Sequence, residues 1–257
     1  MKLNAKKIEK ISKNIKVNSF NCVDSTNEVA KKFAESGADE GVVVTAIKQT
    51  AGKGRLGRTF LSKKGGVYFS VILRPEKISE KTLFITVASA VAASRAIEKV
   101  SAKKCEIKWV NDIYINNKKV CGILAAGSKD YIILGVGINL FEPKGGFAIN
   151  LPLADSVFHK KDRILFKNRI KERIIGEFSN VFFELYKNLE QKEFIKEYQH
   201  RSFLTGKEIT YKKDGETYKA TVVGIDENAC LIVNKDGKSD ILSHGEIQII
   251  GMEQLVI

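Results

Sequence analysis

No stretch of this 257-residue chain holds the roughly 18 consecutive apolar residues that a membrane-spanning helix needs. The lysine-rich start, Met1 to Lys16, lacks the apolar core and small-residue cleavage site of a signal peptide. A cytoplasmic protein without membrane contact is expected. Cysteine is sparse: Cys22, Cys105, Cys121 and Cys230 are scattered, and no two form a CxxC pair. That excludes a local zinc motif and supplies no disulfide framework; small buried thiols in a reducing compartment are expected. No internal repeat or low-complexity tract is present. A compact basic block is lacking too, although the formal net charge is +13. Lysines spread along the whole chain describe a solvated surface. They do not form the clustered, aromatic-interleaved strip of a nucleic-acid-binding module. The same charge attracts nucleotides and acidic proteins. What is present, 44% hydrophobic and 28% charged residues, suffices for one full core and a smaller attached domain.

Along the chain, Ser25 or Thr26 caps a helical pattern with Val29, Ala30 and Phe33 on its apolar face, and Gly37 ends it. Gly41 to Ile47 reads as a buried strand, Gly52 to Gly57 as a glycine-rich loop, and Val67 to Leu73 as a strand closed by Pro75. Thr82 to Val100 is a long helix rich in Ala and Ser. Cys105–Trp109, Asp112–Ile115, Val120–Ala126 and Tyr131–Ile138 are strand segments. Ile164 to Leu189 is amphipathic with helical spacing, and a shorter helix covers about Glu193 to Ser202. After Gly206 come short strands, 208–211, 217–225, 230–234 and 238–242, with turns at Asp214-Gly215, Glu227-Asn228 and Asp236-Gly237. The reading is α+β: a mixed, largely antiparallel sheet with helices on one face in residues 1–204, then a small β-barrel in 205–257.

The sharpest motif is Gln49-Thr50-Ala51-Gly52-Lys53-Gly54-Arg55-Leu56-Gly57-Arg58. Gly52, Gly54 and Gly57 satisfy the dinucleotide fingerprint, and Gly52 to Thr59 fits a P-loop except that Arg58 stands where lysine belongs. Both motifs need a helix directly after the loop to hold a phosphate. Gly65-Gly66 and a strand arrive instead, so both are rejected. A strand–loop–strand anion clamp remains, with Lys53, Arg55 and Arg58 as its cations; a plain solvated turn is its rival. Lys108-Trp109-Val110-Asn111-Asp112 combines a cation with groups that can orient a nucleotide or magnesium, though Asn-Asp is also a common turn and Trp a common core residue. Lys118-Lys119 feeds a strand in which Gly122 permits close backbone approach; a lysine-tipped hairpin reads equally well. In Gly135-Val136-Gly137-Ile138-Asn139 the glycines alternate on one face and leave a groove for a ligand or another chain segment.

These four features in this order, with Asp24-Ser25-Thr26-Asn27 before them, resemble the biotin–protein ligase family over nearly the whole chain. The related lipoate ligases share the fold but, as a family, lack the pairing of GxGRxGR with KWxND. The resemblance implies the class II synthetase-like catalytic fold of biotin and lipoate ligases, with a Src-homology-3-like C-terminal barrel. It implies ATP-dependent formation of biotinyl-5'-AMP, then transfer of biotin to a lysine of a biotin carboxyl carrier protein. ATP and biotin are then substrates and Mg2+ the accompanying ion, with no metal-ligating protein residue assigned. Lys108 and Arg55 are the implied catalytic residues. Ser25, Thr26, Asn27, Gln49, Gly52, Lys53, Gly54, Arg55, Lys108 and Gly122 would bind biotin. Arg55, Arg58, Phe60, Asn111, Lys119 and Asn139 would bind ATP and the adenylate.

Four positions depart from the family pattern: Lys53 for arginine, Phe60 for tryptophan, Val110 for proline and Ala126 for glutamate. Phe60 retains an aromatic face with less area. Some members carry an N-terminal helix-turn-helix; the roughly twenty residues before Asp24 are too few for one. A ligase without specific DNA binding is therefore expected, with a homodimer left open.

Overall fold

The computed structural model describes residues 2–147, 151, 153–159, 170–213 and 215–252. Strands β1 (Lys16–Val23), β2 (Val42–Gln49), β3 (Val67–Leu73), β4 (Glu106–Lys108), β5 (Asp112–Ile115), β6 (Lys118–Gly127) and β7 (Ile132–Ile138) form one sheet, ordered β1-β2-β3-β7-β6-β5-β4. Only the β1–β2 pair is parallel; every other neighbouring pair in this sheet is antiparallel. Asn116 and Asn117, with φ of 50° and 60°, make the tight hairpin between β5 and β6.

The helices are α1 (Ala5–Ile11), α2 (Thr26–Glu35), α3 (Ile78–Ser101), α4 (Ile170–Lys187) and α5 (Phe194–Arg201). Buried Ala88, Ala92, Ala93 and Ala96 keep the surface of α3 low, so it lies close against the sheet and α4. Phe178 and Phe182 of α4 stack at 5.5 Å, and Phe69 of β3 meets Phe178 edge-on at 5.0 Å. Residues 164–169 of the expected amphipathic segment lie outside the described residues.

The α+β class with a large mixed sheet stands, but the helices are not all on one face. Val43 and Val71 point into the core shared with α3 and α4. Val42 and Val44, one position out of phase, pack with Ile72 and Ile133 against Ala30 and Ala34 of α2 in a second cluster. Helix α2 therefore covers the opposite face. An unbroken Val-Val-Val run is what a strand buried on both faces requires. The sequence reading also passed over α1, most of β1 and the final short strand. Cys105 and Cys121 are buried as expected, whereas Cys22 is exposed on edge strand β1.

The C-terminal part is a five-stranded antiparallel sheet consistent with a Src-homology-3-like domain. It comprises β8 (Glu208–Lys213), β9 (Glu216–Ile225), β10 (Leu231–Lys235), β11 (Lys238–Leu242) and β12 (Ile247–Ile249), ordered β11-β10-β9-β8-β12. Asp236-Gly237, both at positive φ, turns β10 into β11. Asp214 of the expected Asp-Gly turn lies outside the described residues. Trp109 Nε1, just after β4, donates to Ala229 O at 2.9 Å and Gln199 Nε2 of α5 to Ile225 O at 2.8 Å, fastening this sheet to the β4 end and to α5. Among the described residues, no helix is long and apolar enough to cross a membrane.

Candidate active site

A cleft of about 840 Å³ opens over the large sheet and is closed at one side by Glu246 and Ile247 of the C-terminal part. The polar end is built on the start of α2. Thr26 N donates to Gln49 Oε1 at 2.7 Å, with Thr26 Oγ1 3.0 Å from the same oxygen. Gln49 Nε2 donates to Ser62 Oγ at 2.7 Å. Ser70, buried on β3, lies 2.8 Å from Thr26 Oγ1 and 2.5 Å from Asn27 Oδ1.

The alternating glycines of β7 leave a groove, and the chain itself fills it. A Cβ on Gly135 would lie 2.2 Å from Asn27 Oδ1, and one on Gly137 would lie 2.6 Å from the Phe60 ring. Gly122, the cross-strand partner of Gly137, adds the other half of the bare patch beneath Phe60. These glycines let an amide and an aromatic ring seat on the backbone itself.

No α-helix follows the glycine–arginine loop. A single 3-10 turn at Arg55–Gly57 leads through an extended segment to β3, and Gly54 N donates to Arg58 O at 2.7 Å. Arg58 pairs with Glu246 at 2.6 Å and Lys53 with Glu28 at 2.5 Å. Arg55 donates to Asn111 Oδ1 at 3.2 Å and to Gly245 O at 3.0 Å. Leu56, at the loop tip, is exposed with φ 52°.

Lys108 is 6% exposed at the end of β4. Burial holds its amino group below the ordinary lysine range, opposed by the carboxylate of Asp112 and reinforced by Lys119. Asp112 spends Oδ2 on Lys119 at 2.6 Å; its Oδ1 is buried without a partner among the described residues. Lys108 lines the cleft, where the carboxylates of Asp112 and Glu246 favour its charge and Lys119 and Arg58 oppose it. Asn111 Nδ2 is held by Ile123 O at 2.7 Å, and the Trp109–Val110 peptide bond is cis.

The cleft wall brings together Ser25, Thr26, Asn27, Gln49, Lys53, Gly54, Arg55, Arg58, Phe60, Lys108, Asn111, Lys119, Gly122 and Asn139. Gly52 is the exception. It packs behind the loop, where a Cβ would lie 2.4 Å from Phe60 O and 2.5 Å from Ser62 Oγ. Sequence reasoning missed Glu246 and Gly245, which answer the two loop arginines from some 190 positions away, and buried Ser70.

Residues 19–139 match the Biotin/lipoate A/B protein ligase family. The matched segment runs from within β1 to just past β7 and carries every wall residue named above up to Asn139. The bifunctional ligase/repressor BirA of Bacillus subtilis is 40% identical over 131 residues; the match spans 49% of this chain but only 40% of that protein. The biotin–[acetyl-CoA-carboxylase] ligase of Mycobacterium tuberculosis is 27% identical and covers 87% of this chain and 85% of its own. Among solved structures, the biotin protein ligase from Aquifex aeolicus in complex with biotin and ATP matches with TM-score 0.74 and 26% identity, over 92% of this chain and 98% of that one. The match of the ligase fold extends beyond the family segment into the C-terminal sheet.

Proposed function

We propose that the chain is a biotin–protein ligase, with residues 1–204 as the catalytic unit and 205–257 as the appended sheet. The observation that carries the reading is one cleft pairing a hydrogen-bonding pocket at Thr26, Asn27 and Gln49 with a cationic end at Arg55, Lys108 and Lys119. That arrangement suits an acid whose polar ring binds at one end and whose carboxylate meets a nucleotide at the other.

In the first step a biotin carboxylate oxygen attacks the α-phosphorus of ATP. The bond to the bridging oxygen breaks and pyrophosphate leaves. Both reactants are anions, and Lys108 and Arg55 offset their repulsion. In the second step a neutral acceptor lysine attacks the acyl carbon, AMP leaves, and the amine gives up a proton. The acceptor is a biotin carboxyl carrier protein. Magnesium enters as part of MgATP. Asp112 Oδ1 and Asn111 are the oxygen donors on that wall that would hold it.

Biotin-dependent exchange of labelled pyrophosphate into ATP tests the reading. Exchange with biotin and none with lipoate is expected; exchange with lipoate alone would overturn it.

Two further outcomes follow from the geometry. Lys108 acts as a cation, and a cation with a lowered pKa is lost as pH rises through that value. Adenylation by the free enzyme should therefore decline at a pH below that at which an ordinary lysine titrates. Lys108→Arg, which does not titrate in this range, should remove that alkaline limb; an unchanged limb would assign it to another group. Gly137→Ala should push Phe60 off its glycine seat. The KM for ATP is then expected to rise roughly tenfold, the worth of one aromatic stack, with the biotin KM nearly unchanged. Equal ATP affinity in mutant and wild type would remove Phe60 from the nucleotide site.

A further inference from the structure

We propose that Ser70 is a positioning residue for the ring-binding end of the cleft. Its buried hydroxyl fixes which atoms Thr26, Asn27 and Gln49 offer to a ligand. The identity of that ligand rests on the biotin reading; the role of Ser70 rests on the hydrogen bonds themselves. Ser70 is fully buried on β3, paired with Val44 on one side and Gly135 on the other, and does not line the cleft.

Proton accounting gives the direction of the chain. Phe60 O only accepts, so Ser62 spends its proton there, at 2.8 Å. Ser62 Oγ therefore accepts from Gln49 Nε2, which turns Gln49 Oε1 toward the backbone N–H of Thr26. At the other end Ser70 has one proton and two oxygen neighbours, Thr26 Oγ1 and Asn27 Oδ1. The amide oxygen has no proton of its own, so it takes the one from Ser70. Thr26 spends its own hydroxyl proton on Gln49 Oε1 at 3.0 Å, so the Ser70 hydroxyl is the donor toward Thr26 Oγ1 as well as Asn27 Oδ1. Every hydroxyl proton in the chain is used.

Gln49 Oε1 already accepts from Thr26 N and Thr26 Oγ1, so the Nδ2 protons of Asn27 are what is left for a ligand. A pair of donors is the complement of a ring carbonyl, as in a cyclic urea. A dithiolane ring carries no carbonyl. Without Ser70 the Asn27 amide has no fixed orientation, and half of its rotamers present the wrong atom. Removing the hydroxyl leaves Thr26 and Asn27 in place but unaligned, so the loss should fall on ring binding alone.

Ser70→Ala is the test, since it removes one atom and adds none. The KM for biotin should rise about tenfold, while the KM for ATP, kcat at saturating biotin and the thermal midpoint stay near wild type. Discrimination of biotin over lipoate should fall by the same factor. In an Asn27→Ala background the effect of Ser70→Ala should shrink to less than roughly threefold, because the two residues act through one chain. An unchanged biotin KM, equal rises for biotin and ATP, or an undiminished effect in the Asn27→Ala background would overturn the proposal. The two readings fail separately. A wild-type enzyme that does not activate biotin overturns the biotin reading and the ring assignment with it. An active wild type with an unaltered Ser70→Ala variant overturns only the role of Ser70.

Discussion

Replacing Lys108 by alanine is expected to slow adenylate formation by about two to three orders of magnitude while the fold survives, the usual cost of losing one preorganised charge at a reacting centre. The burial of this lysine is costly on its own account, because desolvation disfavours the ammonium form. The carboxylate that favours its charge most, Asp112, already pairs with Lys119 through Oδ2 at 2.6 Å. Lys108 thus carries its positive charge in a confined cleft among the further cations Lys119 and Arg58, countered by Asp112 and Glu246. Such a charge is available to two anions that must be pressed together. Alanine relieves the desolvation cost and leaves Asp112 with its Lys119 partner, so stability should change little. Single-turnover pyrophosphate release alongside a thermal melt separates the two effects. Near-normal release would refute the assignment, and a collapsed melt would move Lys108 from chemistry to packing.

Arg55→Gly should act on retention instead. Its guanidinium bridges the KWVND segment through Asn111 Oδ1 and the C-terminal part through Gly245 O. It thus ties the loop shut from two sides, above a product that is a mixed anhydride reactive toward water and any amine. A closed loop excludes both while the acceptor docks. One charge-assisted hydrogen bond is worth roughly 1.5–3 kcal/mol, about one to two decades in residence time. The variant should still make the adenylate but release it sooner, and leaked adenylate would label bystander lysines. Biotin transfer to the carrier protein and to serum albumin in one tube measures this. Selectivity equal to wild type would leave Arg55 as a loop brace only.

How much of this was legible in the sequence depends on the reach of each contact. The loop, the KWVND segment and the α2 start are local patterns at strand ends, and strand ends of one sheet converge; their gathering into a cleft follows from the order of the strands. The groove of Gly135 and Gly137 was legible, but its occupants were not. Asn27 and Phe60 fill it from more than seventy residues away. Gly245 and Glu246 sit in a plain Gly-Glu turn whose meaning appears only when the C-terminal sheet docks. Ser70 is hidden in an apolar strand, where a lone hydroxyl gives no periodic signal. Strand β1 escaped because Lys16–Val23 alternates weakly and lies at an edge, with only Val17 buried. The opposite placement of α2 was implicit in Val42-Val43-Val44, a run apolar on both faces, but which helix fills the second face is a tertiary matter.

The most direct measurement of the central claim is the mass of an acceptor. The protein is incubated with biotin, MgATP and a biotin carboxyl carrier domain, in parallel with lipoate and with the carrier's target lysine changed to arginine. The account predicts that the intact carrier gains one biotinyl group with biotin and nothing with lipoate, and that the Lys→Arg carrier gains nothing. An unmodified carrier alongside active protein, or a gain with lipoate instead, would contradict it.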